Sequence, residues 1–210
     1  MSREIHHRVS RLGAYEDEHG NRIVVEDPAT LGSPPCNVTF RGSGNKLIVK
    51  SGVALGSLTI VFEGDFGSFC LGMTPPEKAG QWKARIGSAA RVQIGTHVMT
   101  ESACTVVAQA HAKVVIEEEV IIAEDCEISA VSPASLRDPG VGDAEVADAD
   151  VLVSRGARLE QEILVSGGVS IGAGSLVLRR SVVRDSIRSF VVASGNPAVA
   201  EIDTVAGDES

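Results

Sequence analysis

Hydrophobic positions recur along most of this chain at intervals of six. From Ile86 the steps fall on Ile86, Val92, Val98, Cys104, Ala110, Ile116, Ile122 and Ile128, all aliphatic or small and none charged. Two residues before each runs a second register, Ala84, Ala90, Thr96, Ser102, Ala108, Val114, Val120 and Cys126, small or β-branched throughout. The positions between are free to be Arg, Gln, Glu or Lys. Neither a helical repeat nor plain strand alternation has this period. A prism of short strands does. An aliphatic side chain fills the interior, a small one fits where the chain turns a corner, and three such steps close a triangular coil. Coils then stack about 4.8 Å apart, the spacing of hydrogen-bonded strands, so residues eighteen apart are expected one above the other. The expected fold class is all-β, a parallel β-helix with a protruding loop and short terminal caps.

The pattern resumes at Ala147, Val153, Leu159, Val165, Ile171, Val177 and Val183, with Val151, Ala157, Ile163, Val169, Ser175 and Ser181 in the second register. A weaker stretch runs from Gly42 to Gly72, where Leu47, Val53 and Leu71 keep phase but Thr59 and Asp65 do not; it reads as the first, less regular coils. The expected organisation is an N-terminal segment over 1–41, the β-helix over 42–198 and an acidic tail over 199–210. The two ends are the available caps for a stack that otherwise has open ends. Two breaks interrupt the steps. One lies between Leu71 and Ile86, around Met73 to Gly80. The other follows Ile128, where SAVSPASLRDPGVGDAEV has the prolines and glycines of a surface loop, placed at 129–146. Binding and catalytic groups concentrate on loops held by a rigid scaffold, so chemistry is sought at the second break.

Composition agrees with thin stacked layers: the chain is rich in Gly and only 3% aromatic. A net charge of −9 disfavours non-specific binding to nucleic acid or an anionic membrane. No apolar run is long enough to span a bilayer, and Ser2-Arg3-Glu4-Ile5-His6-His7 is no signal-peptide core, so a cytoplasmic location is expected. Cys36, Cys70, Cys104 and Cys126 are widely spaced with no C-x-x-C pair, which points to neither a zinc site nor a disulfide framework.

Three short motifs sharpen the reading: EDCEIS from Glu124 to Ser129, VSIGAGSLV from Val169 to Val177, and VVASGNPA from Val191 to Ala198. With these the chain resembles the hexapeptide-repeat, left-handed β-helix acyltransferases, particularly the branch that O-acetylates sugars and polysaccharides. The resemblance implies a homotrimer that takes acetyl-CoA as co-substrate in the cleft between two subunits, needs no metal and acetylates a sugar or polysaccharide hydroxyl. It also implies a loop histidine as base. An alcohol is a poor nucleophile at neutral pH, so a base titrating near 7 must lie within hydrogen-bond reach. This chain departs from that pattern. Ile128-Ser129-Ala130-Val131-Ser132-Pro133-Ala134-Ser135 holds no histidine, nor does the rest of the loop, and Val151-Leu152-Val153-Ser154 lacks the tryptophan expected after it.

His111 is the substitute candidate. It follows the interior position Ala110, and eighteen residues on lies Ser129, so a regular coil places it one layer beneath the loop's first residue. The plain alternative is a solvated corner histidine. His97 is expected on the same face two coils below the loop, and His6, His7 and His19 are read as non-functional. A γ-class carbonic anhydrase-like zinc site, which this fold also supports, needs three converging imidazoles, and the repeats supply only His97 and His111. Ser132 and Ser135 read as turn residues, since the loop offers only Asp138 and Asp143 as companions. Cys104 and Cys126 read as packing. By resemblance, Gly172, Gly174 and Ser175 flank the pantetheine arm of the coenzyme. Arg179, Arg180, Arg184 and Arg188, with Asn196 of the GNPA sequence, lie at the end that receives its phosphates. The arginines equally suit a solvated turn. The alternative function is a catalytically silent trimer acting as a binding or scaffold subunit. The missing loop histidine favours that reading, while the retained GAGS and GNPA sequences favour the enzyme.

Overall fold

A computed structural model of the chain describes residues 7–28, 33–74, 79–132 and 149–203. Its strands form three faces of a triangular prism. Face A is built from Cys36–Phe40, Leu55–Phe62, Gly80–Ile86, Cys104–Ala108, Glu127–Ala130, Leu164–Val165 and Val182–Val183. Face B takes Arg22–Val25, Lys46–Val49, Ser68–Leu71, Arg91–Ile94, Lys113–Ile116, Val151–Val153 and Val169–Ile171. Face C takes Met99–Thr100, Ile121–Ile122, Arg158–Leu159, Leu176–Val177 and Val191–Gly195. Neighbours within these runs pair in parallel, as they must when one chain winds in one direction around a single core.

The coil is not eighteen residues long throughout. Thr105 lies over Lys83, Glu127 over Thr105, Lys113 over Arg91 and Ile121 over Met99, a step of 22 each time. Beyond the second break, Val182 lies over Leu164, Val169 over Val151 and Leu176 over Arg158, a step of 18. In the wider coils faces A and B each bury three side chains (Cys104, Val106 and Ala108; Ala112, Val114 and Ile116), whereas face C buries two, Val120 and Ile122. Side chains alternate in and out with a period of two, so lengthening a face by two residues leaves the inward parity unchanged. A step of six therefore keeps landing on inward or corner positions even where the coil is longer. The sequence looks more regular than the prism is.

Width decides which side chains fill the interior. Phe40, Phe62, Phe69 and Trp82 are fully buried, and all belong to the first coils. One inward column on face A reads Phe40, Phe62, Ile86, Ala108 and Ala130, tapering as the stack rises towards the break. Phe62 stacks on Phe40 at 5.1 Å between ring centroids, and Tyr15 covers Phe40 at 6.0 Å. Each fully buried side chain of this size contributes about 1.5–3 kcal/mol. After the break the interior is aliphatic and small: Val153, Leu159, Val165, Ile171 and Val177.

The stack begins earlier than the pattern suggests. Arg22 already pairs in parallel with Lys46, and Cys36 with Leu58, so the later part of the N-terminal segment belongs to the coils. What precedes Arg22 closes the open edges. His7–Val9 runs antiparallel to Cys36–Phe40 on face A, and Tyr15–Glu16 antiparallel to Arg22–Val25 on face B. At the other end Ala198–Asp203 turns back antiparallel on Val191–Gly195. An unpaired strand edge is a template for adhesion, and a reversed strand ends it. Among the described residues no helix is long and apolar enough to cross a membrane.

Candidate functional site

Each coil turns three corners, and at most of them the residue at the tip adopts a left-handed backbone. Along the edge between faces A and B these tips are Gly44, Phe66, Ala89 and His111, with φ of 67°, 59°, 54° and 63°. The His111 amide donates to the Ser88 carbonyl 2.8 Å below, the same corner-to-corner bond that Ala89 makes to Asp65. The conformation is thus a property of the repeat, and what singles out His111 is what lies above it. One coil higher the second break intervenes, and Val151 lies over Val114 at a step of 37 in place of 22.

Both feet of that excursion are tied to the residues flanking His111. Its outgoing foot is held where the Ser132 amide donates to the Gln109 side-chain oxygen at 3.0 Å. Its returning foot is held where the Lys113 amide donates to the Asp150 carboxylate at 2.6 Å. His111, exposed, lies midway between Gln109 and Lys113, at the tip of the corner spanned by the two feet. Beside it on face B is a concavity of about 290 Å³ whose rim includes Lys113, Asp150, Leu152 and Ser170. The serines and acids named within the excursion, Ser135, Asp138 and Asp143, lie outside the described residues, as does His6.

The register differs from expectation in one respect. The residue beneath Ser129 is Val107, not His111, because the coil there has twenty-two residues. His111 nonetheless lies between the two residues, Gln109 and Lys113, that hold Ser132 and Asp150 at the ends of the second break. His97 does not share this edge. Its amide bonds to Met73 and it is a tip of the edge between faces B and C, one coil below Glu119. The two repeat histidines therefore do not converge on a metal within one chain.

The cysteines are packing groups. Burial pushes the Cys104 thiol far up, helped by Cys126 and Glu127, and burial raises Cys126 and takes Cys36 to about 11. None is poised as a thiolate nucleophile.

The residues assigned by resemblance to the coenzyme are spread around the prism. Gly172 and Gly174 turn the edge between faces B and C. A Cβ at Gly172 would collide with the Ser189 backbone nitrogen, and Gly174 has φ of 64° with the Phe190 ring 2.8 Å from where its Cβ would be, so the coil itself requires both glycines. Ser175 is fully buried and its hydroxyl donates to the Arg188 carbonyl at 2.7 Å. Arg179 and Arg180 lie at the edge between faces C and A, where Arg180 pairs with Glu162 at 3.3 Å. Asn196 follows Gly195, whose amide donates to the Ser181 hydroxyl just past these arginines. Arg184 follows the last strand of face A, and Arg188 lies beyond Ile187, which bridges to Ile171 on face B. Ten residues cover more than half of an eighteen-residue coil, so the arginines that cluster in sequence do not cluster in space.

Arg179 joins a residue that the sequence pattern did not single out. On the outer surface of face C, Arg158 and Arg179 lie with Glu101 and Glu160 around a cleft of about 500 Å³ floored by Ile121 and Leu176. Arg158 stacks on Ile121 and under Leu176, a neighbourhood visible only once the register is known. The anchors Gln109, Lys113 and Asp150 were likewise missed; no spacing marks them, because their partners are 23 and 37 residues away.

A clasp joins the coils on either side of the break. Arg155 donates to Glu119 at 3.1 Å and lies 3.6 Å from Glu118. The hydrogen bond and charge of Arg155 hold the Glu119 carboxyl below its ordinary value. A carboxylate lowered in the folded state contributes stability above its unfolded pKa and loses it as pH falls through the folded one. Both groups are exposed, so the contribution is small. Arg155→Ala is expected to raise the Glu119 pKa in an NMR titration with little change in melting temperature. An unchanged Glu119 titration would show that the clasp does not form in solution.

No family model matches the sequence, and no curated protein does. Among solved structures, the crystal structure of the polySia-specific acetyltransferase NeuO is similar, with a TM-score of 0.73 and 23% sequence identity over 91% of this chain and 87% of that one. The fold of this chain is the left-handed β-helix of the hexapeptide-repeat proteins.

Proposed function

We propose that the protein is an acetyl-CoA-dependent acetyltransferase acting on a sugar or polysaccharide hydroxyl, with His111 as the general base. The observation that carries this reading is the position of His111 between Gln109 and Lys113, which hold Ser132 and Asp150 at the two ends of the second break. The acetyltransferase with a similar fold is specific for polySia. That likeness supports the reaction class, and the acceptor class follows the resemblance of the EDCEIS, GAGS and GNPA sequences. Acetyl-CoA, when bound, supplies the acetyl group as a thioester. The imidazole takes the proton from the acceptor hydroxyl as the oxygen attacks, and as imidazolium it returns that proton to the departing sulfur.

The trimer fits the same geometry. His111 lies on the edge between faces A and B, Gly172 and Gly174 on that between B and C, and Arg179, Arg180 and Asn196 on that between C and A. No compact ligand reaches all three edges of one prism. A site that uses them draws on more than one copy, as the cleft between subunits of a homotrimer does. Among the described residues Arg158, Arg179, Ile121 and Leu176 offer guanidinium groups for phosphates beside an apolar floor.

Titration calorimetry with acetyl-CoA, sedimentation to obtain the mass, and acetyl transfer to a panel of sugars and oligosaccharides including polysialic acid test the reading. The expected result is saturable coenzyme binding, a mass three times 21.9 kDa and turnover of at least one acceptor. A trimer that neither binds acetyl-CoA nor turns over would sink the enzyme and leave the binding subunit.

A further inference from the structure

Outside the repeats the chain brings together two imidazoles and a carboxylate. Among the described residues, His7, Glu18 and His19 are the one group whose side chains can jointly hold a metal ion, with a ligand atom from each within 4.8 Å of the others. The His7 and His19 rings lie 5.7 Å apart between centroids, tilted by 51°. The Glu18 carboxylate is 3.5 Å from His19 Nε2.

The group is held by backbone that is itself fixed. His7 begins the antiparallel strand on face A, paired with Phe40. His19 lies in the tight turn between Tyr15–Glu16 and Arg22–Val25, on face B. The Asp17 carboxylate accepts from the amides of His19 and Asn21, at 3.0 and 2.9 Å, and from the Asn21 side chain at 3.0 Å. The His19 carbonyl in turn accepts from the Gly44 amide of the next coil at 3.0 Å. Asn21, fully buried, also donates to the Gly42 carbonyl at 2.8 Å and locks the turn to the core. Two chain segments on two faces thus present their imidazoles to one point, while Glu18, its side chain 82% exposed, is free to swing.

We propose that His7, Glu18 and His19 form a binding site for a zinc-like divalent ion, which clips the first strand of the chain to the turn that opens face B. Two neutral imidazoles and one carboxylate are a borderline donor set that suits zinc and its neighbours; magnesium and calcium prefer all-oxygen shells. Tetrahedral bonds of about 2.0–2.2 Å bring ligand atoms to about 3.4 Å apart, a contraction that side-chain rotation supplies here. Three protein ligands leave a fourth position for water. The site lies on the capping strands and is separate from the His111 corner.

Zinc chloride titrated against a competing chromogenic chelator tests the proposal, with magnesium chloride as the comparison ion. Expected are one zinc per chain for the wild type, no competition by magnesium, and affinity at least about tenfold weaker in both His7→Ala and His19→Ala, as for loss of a group that sets a metal site. The His97→Ala, His111→Ala double variant keeps wild-type affinity. Thermal unfolding should give a second readout: zinc raises the wild-type melting temperature and leaves that of His19→Ala unchanged. Zinc affinity that survives both single substitutions, or that disappears in the double variant, overturns the assignment, as does a wild type that binds no zinc.

Discussion

Replacing His111 with alanine is expected to lower kcat for acetyl transfer by about 10²–10⁴, the range that a positioned general base supplies. Coenzyme affinity should change little, because the substitution removes a proton acceptor and not a binding contact. The reasoning is geometric. His111 is exposed at a corner whose neighbours Gln109 and Lys113 hold Ser132 and Asp150, the described residues at the two ends of the second break. The alanine variant should still fold: the residue is exposed, and Ala89 one coil below holds the same left-handed corner with φ of 54°. Rates and acetyl-CoA titrations on the two proteins, with β-sheet circular dichroism as the folding control, decide the matter. Equal kcat would remove His111 from the chemistry and leave the enzyme reading to another base. Loss of coenzyme binding with kcat intact at saturation would make it a binding residue.

Trp82→Ala is expected to be the most damaging single change in the core, at about 3–5 kcal/mol. Trp82 is fully buried and, on face A, has Leu58 as its strand partner below and Cys104 above. Those neighbours are shorter, so the indole spans space that neither can fill, and alanine leaves a cavity. Domains of this size are stable by about 5–15 kcal/mol, so the loss takes a large share. Trp82→Phe should cost much less. Among the described residues the indole Nε1 finds no hydrogen-bond partner, so phenylalanine keeps most of the ring and removes a buried donor that gains nothing. Urea midpoints for the wild type and both variants provide the comparison. A phenylalanine variant as unstable as the alanine one would mean that the indole N–H has a partner in solution, such as a bound water.

The two expectations differ in how far the sequence alone could reach. Trp82 falls on neither register of six; alternation within its strand carries the inward side from Ala84 back to it. The count of eighteen that points to His111 is one the coil does not obey; what the structure gives is its position between Gln109 and Lys113, which hold Ser132 and Asp150. For the arginines the same count misled. A run from Arg179 to Arg188 looks like one basic patch until it is wound over more than half a coil.

The His7, Glu18 and His19 group shows the opposite limit. Ten residues separate His7 from Glu18, no repeat phase connects them, and both histidines read as incidental. They meet because an antiparallel strand on face A begins beside a turn on face B, and that closure depends on pairings with Phe40 and Gly44.

By itself the sequence determined that this chain is a stack of short parallel strands around an aliphatic interior, and where the stack is interrupted. Between the two breaks, and again after the second, inward parity survives the corners because each face has an even number of residues, so the hydrophobic pattern carries through; the first coils lose it, with Arg91 over Ser68 at an odd step of 23. Only the tertiary structure decided the number of residues per coil, and with it which residues lie above one another. Faces of six and eight residues leave the same alternating pattern, and a strand pairing 22 or 37 residues away leaves no local mark. The anchors of His111, the dispersal of the arginines and the meeting of His7 with His19 all depend on that register.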